Sequence, residues 1–356
     1  MDKRLFYFPL LVFVALLAVE LVLELRHYMK GFSPPIIQWA QSLYFPSQEV
    51  DDEKRQVKIT AKEKSPFSRT DVPKEKTYKT LRIWISSASH AIMGASSDEV
   101  FPARICSHLA VEARRCEVLN GSAAGEDIED NLNRIRDYGE TYSPDVIVLY
   151  QMSQNINGYA RNGLRKPKTG FGNEITSNPI VSSEYLDRWV ENTSAYGHLR
   201  EYVSGYVVLN ALLDERLPDN LIEDFENKLI MFFTQVREVG SVPVLSTFAG
   251  SHIRKNINEM PMYTRLTLMR YQQALSVKGW VMAIEQLNEV VRTVAQENDV
   301  LLIDLAEIIG GQPELFRDFV HFNQRGHDAV AKEIAGSLRT FYRQGRLQGR
   351  WRLYGF

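Results

Sequence analysis

Cys106 and Cys116 are the only two cysteines in 356 residues, and neither has the flanking Cys or His spacing of a metal site. Glycine-rich runs of the kind that cradle phosphate are missing, which leaves nucleotide-driven chemistry without its usual support. Basic and acidic residues nearly balance, 42 against 44, for a formal net charge of −2 at pH 7. No stretch clusters basic with aromatic side chains, so nucleic acid is not an expected partner. No internal repeat recurs along the chain.

What is present begins with an apolar run, Leu5 to Leu25, long enough to cross a bilayer as a helix at about 1.5 Å per residue. Bulky residues and glutamates follow Ala18, so no small-x-small cleavage site closes the run. It reads as an uncleaved signal anchor over residues 1–30. Glu20 and Glu24 lie four residues apart on one face, able to reach the interface or a partner helix in another membrane protein. Lys3 and Arg4 on one side and Arg26 and Lys30 on the other leave charge undecided about orientation. The short N-terminal tail favours N-inside, which predicts a single-pass protein of the inner membrane with its large domain periplasmic. Residues 31–79 read as a juxtamembrane segment: Ser33 to Phe45 suits a short interfacial or packing helix, and Gln48 to Thr80 is rich in charge and poor in large apolar groups, as a solvated tether would be.

From Thr80 strand-like and helix-like runs alternate. Leu81 to Ile85, Cys116 to Leu119, Val146 to Tyr150, Val242 to Phe248 and Val300 to Asp304 read as buried strands. Val100 to Ala113, Ile128 to Tyr138, Asn227 to Gly240, Ala283 to Asn298 and a final run from Gln324 to about Tyr342 read as helices. This alternation predicts an α/β fold, a three-layer doubly wound sheet of about five parallel strands over residues 80–342. Residues 157–226 form a long insertion, rich in Gly, Asn and Tyr before it turns helical near Ser183, with Arg165, Lys166 and Lys168 as a local basic patch. Residues 343–356 are a basic, aromatic tail. Cys106 and Cys116 bracket a helix end and a strand start, which leaves two alternatives: two buried free thiols, or, in an oxidising compartment, a disulfide contributing roughly 3 kcal/mol by loop entropy.

The chemistry concentrates near the C-terminus, in DFVHFNQRGH. Asp318 stands three residues before His321 in a polar link between the last strand and the last helix. Such a link presents an imidazole at a sheet edge with an orienting carboxylate behind it. Ser89 follows the first strand immediately, on the edge where ligands gather in open α/β sheets. For a lone serine, a polar turn made by Ser86, Ser87 and Ser89 is the ordinary reading; an Asp-x-x-His far along the same chain changes it.

A serine early, Asp-x-x-His late and alternating strands and helices between resemble the SGNH (GDSL-type) hydrolase family, over residues 81 to 342. DFVHFNQRGH is similar to its last block, and Ser87-Ala88-Ser89, followed by His90, to its first. NGSAAGED is similar to the second and points to Gly125, which otherwise reads as a turn glycine at a helix start. VIVLYQMSQNIN keeps the strand of the third block and not its residues. The resemblance implies Ser89 as nucleophile, His321 as base and Asp318 as its orienting acid, with no metal or organic cofactor. It implies oxyanion donors at Gly125 N–H and at a side-chain amide, Gln154 in an ungapped alignment or Asn155 after a one-residue slip. His252 and Arg254, in a loop on the same sheet edge, border such a site.

Two departures stand out. Ala88 replaces an aspartate beside the nucleophile, and Met152 replaces a glycine where it would crowd the oxyanion region. Two functions therefore follow: a membrane-anchored serine esterase or acyl transferase acting on acyl esters such as O-acetylated polysaccharide or lipid, or a weak or inactive relative serving as a binding or assembly component of a membrane complex.

Overall fold

The computed structural model describes residues 18–21, 66–68, 72–78, 80–109, 115–162, 215–271 and 275–347. By its internal contacts the chain divides into two units. One takes residues 1–63 and 168–211, of which only 18–21 are described and are helical. The other takes residues 64–167 and 212–356 and holds everything that follows. No helix among the described residues is long and apolar enough to cross a membrane; most of the apolar run 5–25 lies outside them, as do residues 163–214 of the insertion and 348–356 of the tail.

Five parallel strands form the sheet in the order β2-β1-β3-β4-β5: β1 (Thr80–Ser86), β2 (Arg115–Asn120), β3 (Val146–Leu149), β4 (Val242–Ser246) and β5 (Leu301–Ile303). β1 and β3 are buried at every position, which is why they read as continuous apolar runs rather than alternating ones. Among the described residues of this unit the α-helices are α1 (Phe101–Leu109), α2 (Ile128–Tyr142), α3 (Ser153–Asn162), α4 (Asp219–Glu238), α5 (Met262–Tyr271), α6 (Val277–Glu297), α7 (Leu305–Ile309) and α8 (Gln324–Arg343). α1 packs on α8, while α2 packs on α4 and α4 on α6. Those two groups are the outer layers that right-handed crossovers produce from this strand order. The α/β sheet expected from sequence is therefore present.

One polar residue in β1 needs an account. Arg82 is fully buried, and its guanidinium donates to Glu117 and to the carbonyls of Pro73, Lys74, Glu75 and Tyr142, so that every N–H finds an acceptor. The buried charge is held by a carboxylate and a ring of backbone dipoles. Its consequence is that residues 73–75 are stitched to the sheet. Residues 66–68 are docked as well: Phe67 packs edge-on against Trp84 and Tyr142 at 4.8 and 4.7 Å, and Ser68 N–H donates to Asn120 O. The expected solvated tether does not hold at these positions. One aromatic with two aromatic neighbours gains roughly 2 kcal/mol from burial, enough to fix a short segment that its composition marks as wet.

Cys106 and Cys116 form a disulfide between α1 and the start of β2, with Cα atoms 5.6 Å apart. Of the two alternatives left by the sequence, this is the bonded one.

Candidate active site

The strand order places a topological switch between β1 and β3: the chain leaves β1 for β2 on one side and returns from β2 to β3 on the other. Loops at the carboxyl ends of those two strands diverge and open a crevice. Ser89 opens a 3-10 turn, Ser89–Ala91, just past β1. Ser87 Oγ donates to Tyr150 O at 2.6 Å, Asn131 Nδ2 donates to Ser87 O at 3.1 Å, and Asn120 Nδ2 donates to Ala91 O at 3.0 Å. These bonds from β2, α2 and the end of β3 hold the turn that Ala88, fully buried, has no side chain to support.

Asp318 and His321 arrive on the link from β5 to α8. Asn323 caps α8 by accepting from Gly326 N–H, and its own amide donates to Glu314 O, which folds the link back on itself. Ser251 N–H reaches Phe319 O at 2.9 Å and ties the link to the loop after β4. Gly94, at φ +96°, passes so close to Phe322 O that an added Cβ would lie 2.0 Å from it; only glycine permits that approach.

The result is a continuous chain of hydrogen bonds. Ser89 Oγ lies 2.9 Å from His321 Nε2, and His321 Nδ1 lies 2.8 Å from Asp318 Oδ2. The other carboxylate oxygen, Oδ1, accepts from the backbone N–H groups of Val320 and His321 at 2.9 and 2.8 Å. With Nδ1–H donating to the carboxylate, Nε2 is left as an acceptor for the serine proton. Burial alone would raise the Asp318 carboxyl, but the hydrogen bond from His321, its charge and the two backbone N–H groups together hold it below its ordinary value. Asp318 stays ionised wherever His321 needs it.

The oxyanion residues expected from sequence are less tightly gathered. Gly125 occupies an exposed turn at φ +85°, and a Cβ there would meet nothing within 4 Å, so backbone conformation alone requires the glycine. Gln154 accepts at Oε1 from Asn157 at 3.3 Å. Asn155 is 1% exposed, and neither side-chain amide atom has a partner among the described residues. No hydrogen bond joins any of the three to Ser89, His321 or Asp318 among the described residues. Residues 151–155 contain the start of α3, and Met152 is fully buried with its N–H on Gln151 Oε1.

Three other groups lie around the triad, and of these only His252 is placed at the site by sequence, at its border. His90 is fully buried, stacks on His321 at 5.5 Å and 22°, and touches Ser153 Oγ through Nε2 at 2.9 Å. His327 receives Phe101 N–H at Nδ1 and donates from Nε2 to Met93 O at 2.8 Å, pinning the loop after Ser89 to α8. His252 binds Ser251 Oγ at 2.9 Å and lines a groove of about 520 Å³ with Phe248, Arg254 and Arg292. Phe248 also packs 4.9 Å from His90, so this groove adjoins the residues around the triad. The adjacency of His90 to Ser89 and the place of His252 on the same sheet edge were visible in sequence; the contacts of His90 and His327 were not. No group of three His, Cys, Asp or Glu among the described residues could hold a metal ion.

Burial holds His327 well below 6.5, pushed down to about 4, and burial followed by the charge of His321 lowers His90 well below its usual value. Between pH 6.5 and 4 the unfolded chain binds a proton at His327 that the folded chain excludes, so stability falls with falling pH across that window. The drop at His327 alone is about 3 kcal/mol. Urea unfolding at a series of pH values checks it. The His327→Gln variant, whose amide still reaches Met93 O, is expected to lose one proton's worth of that slope.

No protein-family model matches the chain, and no curated protein matches it. Among solved structures it is similar to an acetyl xylan esterase, AlAXEase, at 16% identity and TM-score 0.44, covering 72% of this chain and 100% of that one. It is also similar to a lipase/acylhydrolase from Enterococcus faecalis, at 14% identity and TM-score 0.40, covering 73% and 96%. A third is the psychrotrophic esterase EstA from Pseudoalteromonas sp., at 12% identity and TM-score 0.41, covering 74% and 98%. In its own geometry the molecule is a doubly wound α/β protein with a serine, histidine and aspartate in series at its switch point.

Proposed function

We propose that this chain is a serine ester hydrolase of the SGNH (GDSL-type) kind. The observation that carries the proposal is the unbroken path Ser89 Oγ, His321, Asp318 at the carboxyl end of β1. Ser89 Oγ attacks an ester carbonyl while His321 Nε2 takes its proton; Asp318 holds the imidazole in the required tautomer and stabilises the imidazolium. His321 then returns the proton to the leaving alcohol. Water repeats the sequence on the acyl-enzyme, and an alcohol in place of water makes the same steps an acyl transfer.

The acyl carrier we favour is a carbohydrate bearing O-acetyl groups, with an acyl lipid as the alternative. The groove next to Phe248, with His252, Arg254, Glu285, Arg292 and Glu307 along its walls, supports the more polar of the two. We further propose that the domain works outside the cytoplasm, tethered by the apolar run at residues 5–25 as a single-pass inner-membrane protein. The Cys106–Cys116 disulfide supports an oxidising compartment, and the tether rests on its length and composition.

A fluorophosphonate probe tests the chemistry, because only an activated serine is phosphonylated. Labelling of the full chain is expected at Ser89, with none in Ser89→Ala or His321→Ala. A wild-type chain that stays unlabelled would return the protein to the second reading, a binding subunit with an idle triad.

A further inference from the structure

Beside the triad lies a second serine–histidine pair. His90 directly follows the nucleophile in sequence, its ring stacks on that of His321, and its Nε2 meets Ser153 Oγ at 2.9 Å. Each of the two stacked imidazoles therefore carries a serine hydroxyl on Nε2. Only one of them has an acid behind it: His90 Nδ1 has no hydrogen-bond partner among the described residues.

That missing partner fixes the direction of the bond. In a dry interior an N–H without an acceptor is rarer and costlier than a bare lone pair, so the proton of neutral His90 belongs on Nε2. Nε2–H then donates to Ser153 Oγ, and the hydroxyl proton of Ser153 is left to donate elsewhere. Burial, then the neighbouring His321, keep His90 neutral; Asp318 and His327 are the other titratable groups that act on it, and Tyr150 and Phe248 close its remaining faces.

Strand register puts that hydroxyl at the height of the nucleophile. Ser86 and Leu149 are paired across β1 and β3, and Tyr150 N–H still donates to Ser86 O. Ser89 follows Ser86 by three residues and Ser153 follows Leu149 by four, so both leave adjacent strands on the same rim. Ser153 also opens α3, whose first intrahelical-type bond outside it is Ile156 N–H to Met152 O; the N–H groups of Ser153, Gln154 and Asn155 have no acceptor among the described residues.

We propose that the Ser153 hydroxyl, held by His90, is the side-chain donor to the oxyanion formed when Ser89 attacks an ester. This rests on the esterase reading above and replaces the amide of Gln154 or Asn155 in that role. As the Ser89 Oγ–carbon bond forms, the carbonyl π pair moves onto oxygen. Ser153 O–H stabilises that charge without transferring its proton, and the pair returns when the C–O bond to the leaving alcohol breaks. His90 is a positioning residue: it touches no reacting atom and acts by aiming Ser153.

The test uses the full chain and p-nitrophenyl acetate. Ser153→Ala is expected to lower kcat by about 10²-fold, the lower range for a single oxyanion donor, with KM within about threefold of wild type and an unchanged pH profile of kcat/KM. Ser153→Thr, which keeps the hydroxyl, is expected to recover most of the loss and carries the test if the alanine variant fails to fold. His90→Phe keeps a ring against His321 and removes only the bond to Ser153. It should cost about as much as Ser153→Ala, and the double variant no more than about threefold beyond the worse single one. Additive losses, a shifted pH profile in Ser153→Ala, or no rescue by threonine would mean a packing role and overturn the inference. Ser89-dependent turnover in Ser153→Ala at a rate close to wild type would overturn it and leave the esterase reading standing, whereas wild-type turnover independent of Ser89 would remove the esterase reading itself.

Discussion

Ser89→Ala is expected to lower kcat/KM for p-nitrophenyl acetate by at least about 10⁴-fold, leaving only what binding and polarisation of the carbonyl supply. The fold should not change with it. Among the described residues the one side-chain hydrogen bond of Ser89 is to His321, and the turn that carries it is held by Ser87, Asn120 and Asn131. Melting temperature and turnover measured on the same preparation separate the two effects. A rate within tenfold of wild type would show that the hydroxyl is a bystander.

Asp318→Asn is expected to be nearly as damaging, about 10⁴-fold in kcat, although it changes the side chain by one atom. The reason lies in how the carboxylate is held. Oδ1 already accepts from the N–H groups of Val320 and His321, so an asparagine keeps its carbonyl oxygen there and turns its NH₂ towards His321 Nδ1. Nδ1 must then accept, the imidazole proton moves to Nε2, and Nε2 can no longer take a proton from Ser89. Stopped-flow or steady-state turnover near neutral pH measures the loss. Activity close to wild type in Asp318→Asn would show that Asp318 does not set the tautomer.

The sheet was legible because strands covered on both faces carry unbroken apolar runs, and each of the five fell within a residue or two of its expected place. The last strand with its Asp-x-x-His link was legible for a local reason: three residues is the span over which one carboxylate can reach both the backbone and the ring of the same histidine. Less local features were hidden. The start of α3 carries no capping residue, since Met152 precedes Ser153, and nothing in QMSQN announces a helix. The pairing of His90 with Ser153 and with His321 spans 63 residues in one case and a still longer separation in the other, and only the folded sheet brings them together. Phe67 read as part of a charged spacer because its burial depends on Trp84 and Tyr142, which a local window cannot see.

The ring of carbonyls around Arg82 moves the true start of the folding unit upstream. A chain cut at Thr80 would strand a cation in the interior with only Glu117 and Tyr142 O left to meet it, and would uncover the indole of Trp84 that Phe67 now shields. Residues that look like a disposable leash are thus the cork of the bottle, and any trimmed version that is to stay folded must begin before Pro66.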